Sequence, residues 1–280
     1  MVPFFKSFTV SSLLVLLASL CHGQYYYKDL IVTGQTAGQW QRFRTGNVKA
    51  VSLSSFEANG QPSEGFQGQQ DMGNLSKIIT HTRTVGTPES WIIAFYTPGG
   101  WPTRIVDSSD TYRSVSEYRY DDQGRLTAIV NTSTETDNHL KEAEAHLWQY
   151  DAKGHPIAML KIKGASDTTY VRLILDDKGN VTEEHATRNR IDLPTVYYYY
   201  DDAGRLTDIV RYNRKAARLL PDYVFEYDKD KLSTMLIVPE GSSDYQKWYY
   251  EYDEKGLKTK ESCYNKQKEL VGRIEYTYKF

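Results

Sequence analysis

Polar and apolar residues alternate with a period of two along most of this chain. Trp248, Tyr250 and Tyr252 fall on one side and Tyr249 and Glu251 on the other; Tyr223, Phe225 and Tyr227 repeat the pattern, as do Val196, Tyr198 and Tyr200. Successive side chains of a strand point to opposite faces, so these runs predict paired strands with one buried face. Each run ends in the same kind of turn. Tyr120-Asp121-Asp122-Gln123-Gly124-Arg125-Leu126 recurs as Tyr150-Asp151-Ala152-Lys153-Gly154-His155-Pro156, Leu175-Asp176-Asp177-Lys178-Gly179-Asn180-Val181 and Tyr200-Asp201-Asp202-Ala203-Gly204-Arg205-Leu206. Tyr227-Asp228 and Tyr252-Asp253-Glu254-Lys255-Gly256-Leu257 continue it, Tyr96-Thr97-Pro98-Gly99-Gly100-Trp101-Pro102 is a diverged copy, and Gly73-Asn74-Leu75 ends an older one.

The copies begin at residues 96, 120, 150, 175, 200, 227 and 252. A period near 25 residues holds two strands and two turns. The Asp side chain can accept a backbone N–H two residues on, and the Gly three residues after it supplies the positive φ that a type I turn with a G1 bulge requires. Gly124, Gly154, Gly179, Gly204 and Gly256 are therefore expected in left-handed turn positions. A meander of about sixteen strands at about 4.8 Å spacing would be roughly 75 Å wide if flat, and a sheet that wide should curl, split or close. Trp148 with Tyr150, Tyr198 with Tyr200, Phe225 with Tyr227 and Tyr250 with Tyr252 should form one inward aromatic ladder, with Leu126, Val181, Leu206, Leu232 and Leu257 near its end. Arg119, Gln149, Tyr199, Glu226 and Glu251 should face out.

The beginning of the chain is different. Lys6 precedes an uncharged apolar run from Phe8 to Leu20, and Cys21-His22-Gly23 offers a cleavage site before Gln24, the pattern of a secretory leader. The alternatives are an uncleaved anchor, for which the run is short, and lipidation at Cys21, disfavoured by Leu20 where a small residue is preferred. After cleavage only Cys263 remains, which excludes an internal disulfide. Tyr25 to Thr33 reads as a strand, and Gln35 to Thr45 as a short helix with Thr36 as N-cap and Gly46 as C′ residue, covering the first strand edge. The expected organisation is a leader over 1–23, an N-terminal capping region over 24–68 and a repeat domain over 69–280.

The Tyr-Asp-x-x-Gly-x-Leu copies resemble the YD repeat of Rhs-family proteins, and the chain is similar to short exported YD-repeat proteins of Gram-negative Bacteroidota. The resemblance covers about residues 69–280. It implies an all-β fold, a tandem antiparallel β-hairpin (YD) repeat meander in a curled or closed sheet with a short N-terminal helix, and it implies no catalytic residues. Large Rhs proteins wind such repeats into a shell around a cargo domain; this chain is too short for a complete shell, so that role does not carry over.

Composition narrows the partners. The net charge of −2 gives no basic stripe for nucleic acid and no polybasic membrane patch, and no segment after the leader is apolar for long enough to span a bilayer as a helix. Tyr is the unusual residue, 23 beside 9 Phe and 5 Trp, and its wettable ring suits half-buried strands. Among His81, His139, His146, His155 and His185, the spacing His139-x-x-Glu142-x-x-x-His146 would ligate zinc on a helix. On a strand His139 and His146 point to opposite faces, and the run leads straight into Leu147-Trp148-Gln149-Tyr150, so no metal or other cofactor is expected. The pairs Asp121-Asp122, Asp176-Asp177 and Asp201-Asp202 belong to the repeated turns, and Asp107-Ser108-Ser109-Asp110 is an ordinary polar turn. No P-loop, nucleophile elbow, metalloprotease helix or dinucleotide fingerprint is present. The Gly/Pro-rich stretch from Gly86 to Pro102 offers Trp91, Tyr96 and Trp101 as ligand-binding platforms; the competing reading is a bend that joins an irregular early repeat to the regular ones. The expectation is a non-catalytic exported scaffold or binding protein of the cell envelope, periplasmic, outer-membrane-associated or secreted, with an unidentified protein or glycan partner. A carbohydrate-binding module using exposed Tyr and Trp and an enzyme with a dispersed site are the alternatives.

Overall fold

The computed structural model describes residues 25–73, 76–136, 140–213, 216–239, 242 and 244–280. The leader, Cys21, Gln24, Asn74, Leu75 and His139 lie outside the described residues. Among the described residues one helix, α1 (Lys28–Thr45), precedes nineteen strands. These are β1 (Ala50–Glu57), β2 (Gln67–Gly73), β3 (Lys77–Arg83), β4 (Ser90–Tyr96), β5 (Pro102–Ser108), β6 (Tyr112–Tyr120) and β7 (Leu126–Glu135). There follow β8 (Lys141–Tyr150), β9 (Pro156–Lys163), β10 (Asp167–Leu175), β11 (Val181–Arg188), β12 (Ile191–Asp192) and β13 (Val196–Tyr200). The last six are β14 (Leu206–Asn213), β15 (Arg218–Asp228), β16 (Lys231–Ile237), β17 (Gln246–Tyr252), β18 (Lys258–Asn265) and β19 (Leu270–Lys279).

Every pairing is antiparallel, and all but two join neighbours in sequence: β11 pairs with β13 past the short β12, and β1 pairs with β19, which closes the sheet. β1 pairs with β2 on one side and with β19 on the other, from Ala50 opposite Lys279 to Glu57 opposite Gly272. The two-residue β12 pairs only with β11, which itself continues to β13, so the closed ring has 18 strands. Closure removes the unpaired edges that a sheet of this width would otherwise expose.

The turns follow the repeat. Gly124, Gly154, Gly179, Gly204 and Gly256 all have φ between +75° and +90°. In each turn the Gly N–H donates to the Asp carbonyl and the Asp N–H to the carbonyl four residues on, as in Gly124 to Asp121 (2.9 Å) and Asp121 to Arg125 (3.0 Å). The Asp carboxylate accepts the N–H groups that follow: Asp201 Oδ1 takes those of Ala203 (3.0 Å) and Arg205 (2.9 Å). Its neighbour Asp202 is exposed, as are Asp122 and Asp177. Alternating up and down strands place all these turns at one end of the barrel.

The tyrosine that begins each repeat has a job that spacing alone does not reveal. Its hydroxyl donates to a backbone carbonyl at the start of the return strand in the preceding repeat. Tyr120 bonds Pro102 (2.7 Å), Tyr150 bonds Leu126 (2.7 Å), Tyr200 bonds Val181 (2.9 Å), Tyr227 bonds Leu206 (2.8 Å), Tyr252 bonds Leu232 (3.0 Å) and Tyr278 bonds Lys258 (2.7 Å). The basic residue after the turn then lies over the next ring, Arg125 over Tyr150 at 5.0 Å and Arg205 over Tyr227 at 4.7 Å. Most repeats are thus stitched to a neighbour by a hydrogen bond as well as by the ladder, and some of these links add a cation–π contact. Leu175, standing where the other copies have Tyr, leaves that link out.

The faces fall as the alternation predicts. Tyr198 is 2% exposed and Tyr199 46%. Phe225 and Tyr250 are half-buried, whereas Glu226 and Glu251 face solvent.

Expectations for the beginning of the chain are corrected. Residues from Lys28 onward, read as part of a strand over Tyr25 to Thr33, are helical, and Thr36 lies mid-helix rather than at its cap. Tyr26, Leu30, Thr33, Ala37, Trp40 and Phe43 recur at intervals of three and four, a helical stripe that β-favouring Tyr, Ile and Val disguise. Gly46 has φ −77°, and the left-handed residue that ends the helix is Asn47 at φ 53°. The segment read as a separate capping region contains β1, which is an integral strand of the ring, so α1 covers no edge.

Instead α1 crosses the interior. Eighteen strands at about 4.8 Å make a ring roughly 27 Å across before tilt widens it, too wide for wall side chains alone to fill. An 18-residue helix is about 27 Å long. Its amino end packs on β8, β13 and β15, through Asp29 with His146, Tyr27 with Tyr198 (ring centroids 5.3 Å apart) and Tyr25 with Tyr223 (5.6 Å). Its carboxyl end packs on the opposite arc, with Trp40 stacked on Tyr96 of β4 (6.0 Å) and Phe43 against Tyr278 of β19 (6.2 Å). Arg44 Nη1 donates to the Pro98 carbonyl (3.0 Å) in the turn after β4, so this end lies beside the Asp–Gly turns. The helix is a strut across one end of the barrel.

Candidate functional site

The amino end of α1 has no side-chain cap of its own. The wall supplies one. Glu184 of β11, 1% exposed, accepts the backbone N–H of Tyr26 (2.8 Å) and of Tyr27 (2.8 Å) and the hydroxyl of Tyr198 (2.9 Å). A carboxylate at a helix amino terminus is favoured by the unpaired N–H groups and the helix dipole. Among the described residues no basic side chain pairs with it. Burial raises its pKa, the three donors only partly offset that, and nearby Asp29 adds to the rise, leaving the group at about 7.

A ladder of ion pairs leads to the same place along the inner face of β8 and β9. Lys163 meets Glu142 (2.8 Å) at the exposed end, Lys161 meets Glu144 (2.9 Å) further in, and His146 sits between Glu144 (Nε2–Oε1, 2.9 Å) and Asp29 of the helix (Nδ1–Oδ2, 2.6 Å). Trp148 Nε1 also donates to Asp29 (3.3 Å). Burial alone would lower the His146 pKa, but the two carboxylates outweigh it and push it up to about 9. Burial acts against the Glu144 charge, yet His146 and Lys161 hold its carboxyl down at about 2. The cluster is a mechanical anchor: charges satisfied in pairs fix the helix to the wall.

Of the zinc spacing, His139 lies outside the described residues. Glu142 and His146 lie four residues apart on one face of a strand, and both are engaged in ion pairs. Among the described residues, no three His, Cys, Asp or Glu side chains converge to hold a metal ion. Asp107 faces Tyr112 on the inner wall rather than standing in an open turn with Asp110, and burial raises its pKa.

The proposed aromatic platform is split. Trp91 lies on the outer face, stacked on His81 at 4.0 Å, whereas Tyr96, an odd five residues later, points inward and stacks on Trp40. Trp101 sits at the turn end near Tyr120. Gly100, at φ +88°, explains the local sequence: a Cβ there would lie 2.4 Å from the Trp40 ring. The Gly/Pro-rich stretch lets the wall approach the helix.

The outer wall carries a different feature. A groove of ≈ 590 Å³ is lined by Leu160, Thr168, Tyr170, Thr187, Asn189 and Arg190. Leu160, Tyr170 and Thr187 stand opposite one another on β9, β10 and β11, which puts them in one row on one face. Asn189 and Arg190 form the two-residue turn between Arg188 and Ile191, with φ of 48° and 70°. Such turns need positive φ at both positions, and the second normally takes Gly, so Arg190 holds a conformation that costs on the order of 1 kcal/mol. No sequence motif marked this site, because its residues come from four elements and only the uncommon Asn-Arg turn pairs them.

No known protein-family profile matches the chain, and no curated protein matches it. Among solved structures it is similar to a porin-like protein from Bacteroides uniformis ATCC 8492, at 8% identity and a TM-score of 0.44 over 83% of this chain and 96% of that one. It is also similar to a putative outer membrane lipoprotein-sorting protein domain from Vibrio parahaemolyticus, at 9% identity and a TM-score of 0.16 over 88% of this chain and 93% of that one.

Proposed function

We propose that this chain is a non-catalytic, exported barrel of the cell envelope that works in water as a rigid scaffold and binds its partner through its outer wall. The observation that carries this reading is the division of the wall. Inward positions are largely aromatic and aliphatic, apart from the buried polar cluster on β8, β9 and β11, and are strutted by α1. Outward positions carry ion pairs, Glu226 with Lys247 (3.0 Å), Glu251 with Lys260 (2.8 Å) and Arg273 with Glu275 (3.0 Å). A barrel that meets lipid needs an outward apolar band about 25 Å tall, and charge at its middle costs several kcal/mol. The leader reading supports export, and the YD-type turns support kinship with short exported repeat proteins. Fractionation tests it. The chain should be recovered without detergent from the periplasm, the medium or a salt wash of membranes; recovery only in detergent would overturn the water-facing reading.

A further inference from the structure

The groove beside Tyr170 assembles what an acidic sugar chain needs, and it lies outside the helix anchor. Tyr170 is 51% exposed, and among the described residues its ring stacks on no other, so one face is free to meet the C–H face of a sugar. Thr168, Thr187 and Asn189 edge the groove with short polar groups. The Thr187 hydroxyl is directed to Asp192 (2.7 Å), which ties down the acid next to the groove. Arg190 lines the groove, and Arg172 stands two residues along β10 from Tyr170 on the same face, exposed. Neither arginine makes an ion pair among the described residues. Guanidinium groups bind carboxylate and sulfate in matched pairs of hydrogen bonds. At this groove two arginines flank an open ring.

We propose that this groove binds an acidic saccharide, a sugar unit bearing a carboxylate or sulfate, with the ring on Tyr170 and the anion on Arg190 and Arg172. Single-stranded nucleic acid also stacks on aromatic rings, but it needs a continuous cationic track. Two arginines on a chain of net charge −2 do not make one. The proposal rests on the outer wall facing water; fractionation decides that point, and the experiment below decides the ligand.

Native electrophoresis of the mature chain through gels containing polygalacturonate, dextran sulfate or plain dextran tests it. At least one polyanion should retard the protein and plain dextran should not, with the two polyanions distinguishing a carboxylate from a sulfate preference. Tyr170→Ala and Arg190→Gly should each weaken the retarding affinity at least tenfold. Glycine accepts the φ of 70° at position 190 without strain. Arg190→Gly should therefore keep or raise Tm, so a loss of binding cannot be a loss of fold. Tyr212→Ala, at an equally exposed ring on β14, should bind as wild type. Retardation by neither polyanion, retardation unchanged in both groove variants, or tighter binding to an oligo-dT strand than to either polyanion would each overturn the proposal.

Discussion

Glu184 receives the backbone N–H of Tyr26 at 2.8 Å although 158 residues separate the two, so the cap of the only helix described is a wall strand on the far side of the sequence. The pH dependence of stability follows from that contact. The ordinary glutamate value is near 4.5 and that of Glu184 is about 7. Between these values the folded chain holds a proton that the unfolded chain releases, so the stability Glu184 contributes is complete below pH 4.5 and is lost as pH rises through 7. A difference of this size corresponds to on the order of 3 kcal/mol. Glu184→Gln keeps an oxygen for the two N–H groups and removes the titration. Its Tm should change little between pH 4.5 and 7, while that of wild type declines; parallel curves would remove Glu184 from the account.

His146 extends the same trend to higher pH. Its value is raised from 6.5 to about 9, so the stability it contributes is complete below pH 6.5 and lost as pH rises through 9. Asp29→Asn removes one of the carboxylates that holds the imidazolium and should shift that decline to lower pH. Titration of the His146 ring by NMR would report it directly, with a value still near 9 in the variant counting against the anchor.

The tyrosine links should contribute independently, because successive ones sit in separate repeats. Tyr227→Phe removes the bond to the Leu206 carbonyl and leaves the ring. About 1 kcal/mol of unfolding free energy should be lost in denaturant titration. Combining it with Tyr150→Phe should give close to the sum. A neutral result would mean that water replaces the hydroxyl without cost.

Two glycine positions separate strain from collision. At Gly204 an added Cβ meets nothing within 4 Å, so Gly204→Ala should cost only the positive φ, about 1 kcal/mol. Gly100→Ala should cost more, because its Cβ would drive into Trp40 and push the carboxyl end of α1 off the wall. Thermal unfolding of the pair, with tryptophan fluorescence to follow Trp40, should rank Gly100→Ala as the more damaging.

Cys263 provides a clock for opening. Its side chain is fully buried, and burial together with Glu261 pushes the thiol up to about 12. Alkylation in native buffer should be slow and should accelerate with denaturant in step with global unfolding. Rapid labelling without denaturant would show that the β17–β18 wall opens locally.

The sequence exposes the turns, the faces and the repeat because each depends on neighbours within a few residues: Asp121 caps its own turn, and Tyr198 and Tyr199 face opposite ways whatever lies beyond. It hides the first turns of α1, although it shows the helix over Gln35 to Thr45, because Tyr26 and Ile31 favour strands, and what overrides them is a cap on β11 and rings on β13 and β15. It scatters the candidate site for the same reason. Trp91, Tyr96 and Trp101 are close in sequence and separated by the pleat, whereas Tyr170 and Arg190 are twenty residues apart and brought to one groove by the β10–β11 pairing.

The pairing of β1 with β19 sets a limit on how this chain can vary. A solenoid can gain or lose a repeat at either end and keep its neighbours. Here Ala50 must meet Lys279 for the ring to exist, and α1 must still reach from wall to wall. Inserting or deleting one hairpin would change the circumference, and the strut would become too short or too long. Repeat number and helix length are therefore coupled, and the joining of strands more than 200 positions apart makes assembly an act of closure, slow to begin and incomplete until both ends of the sheet have met.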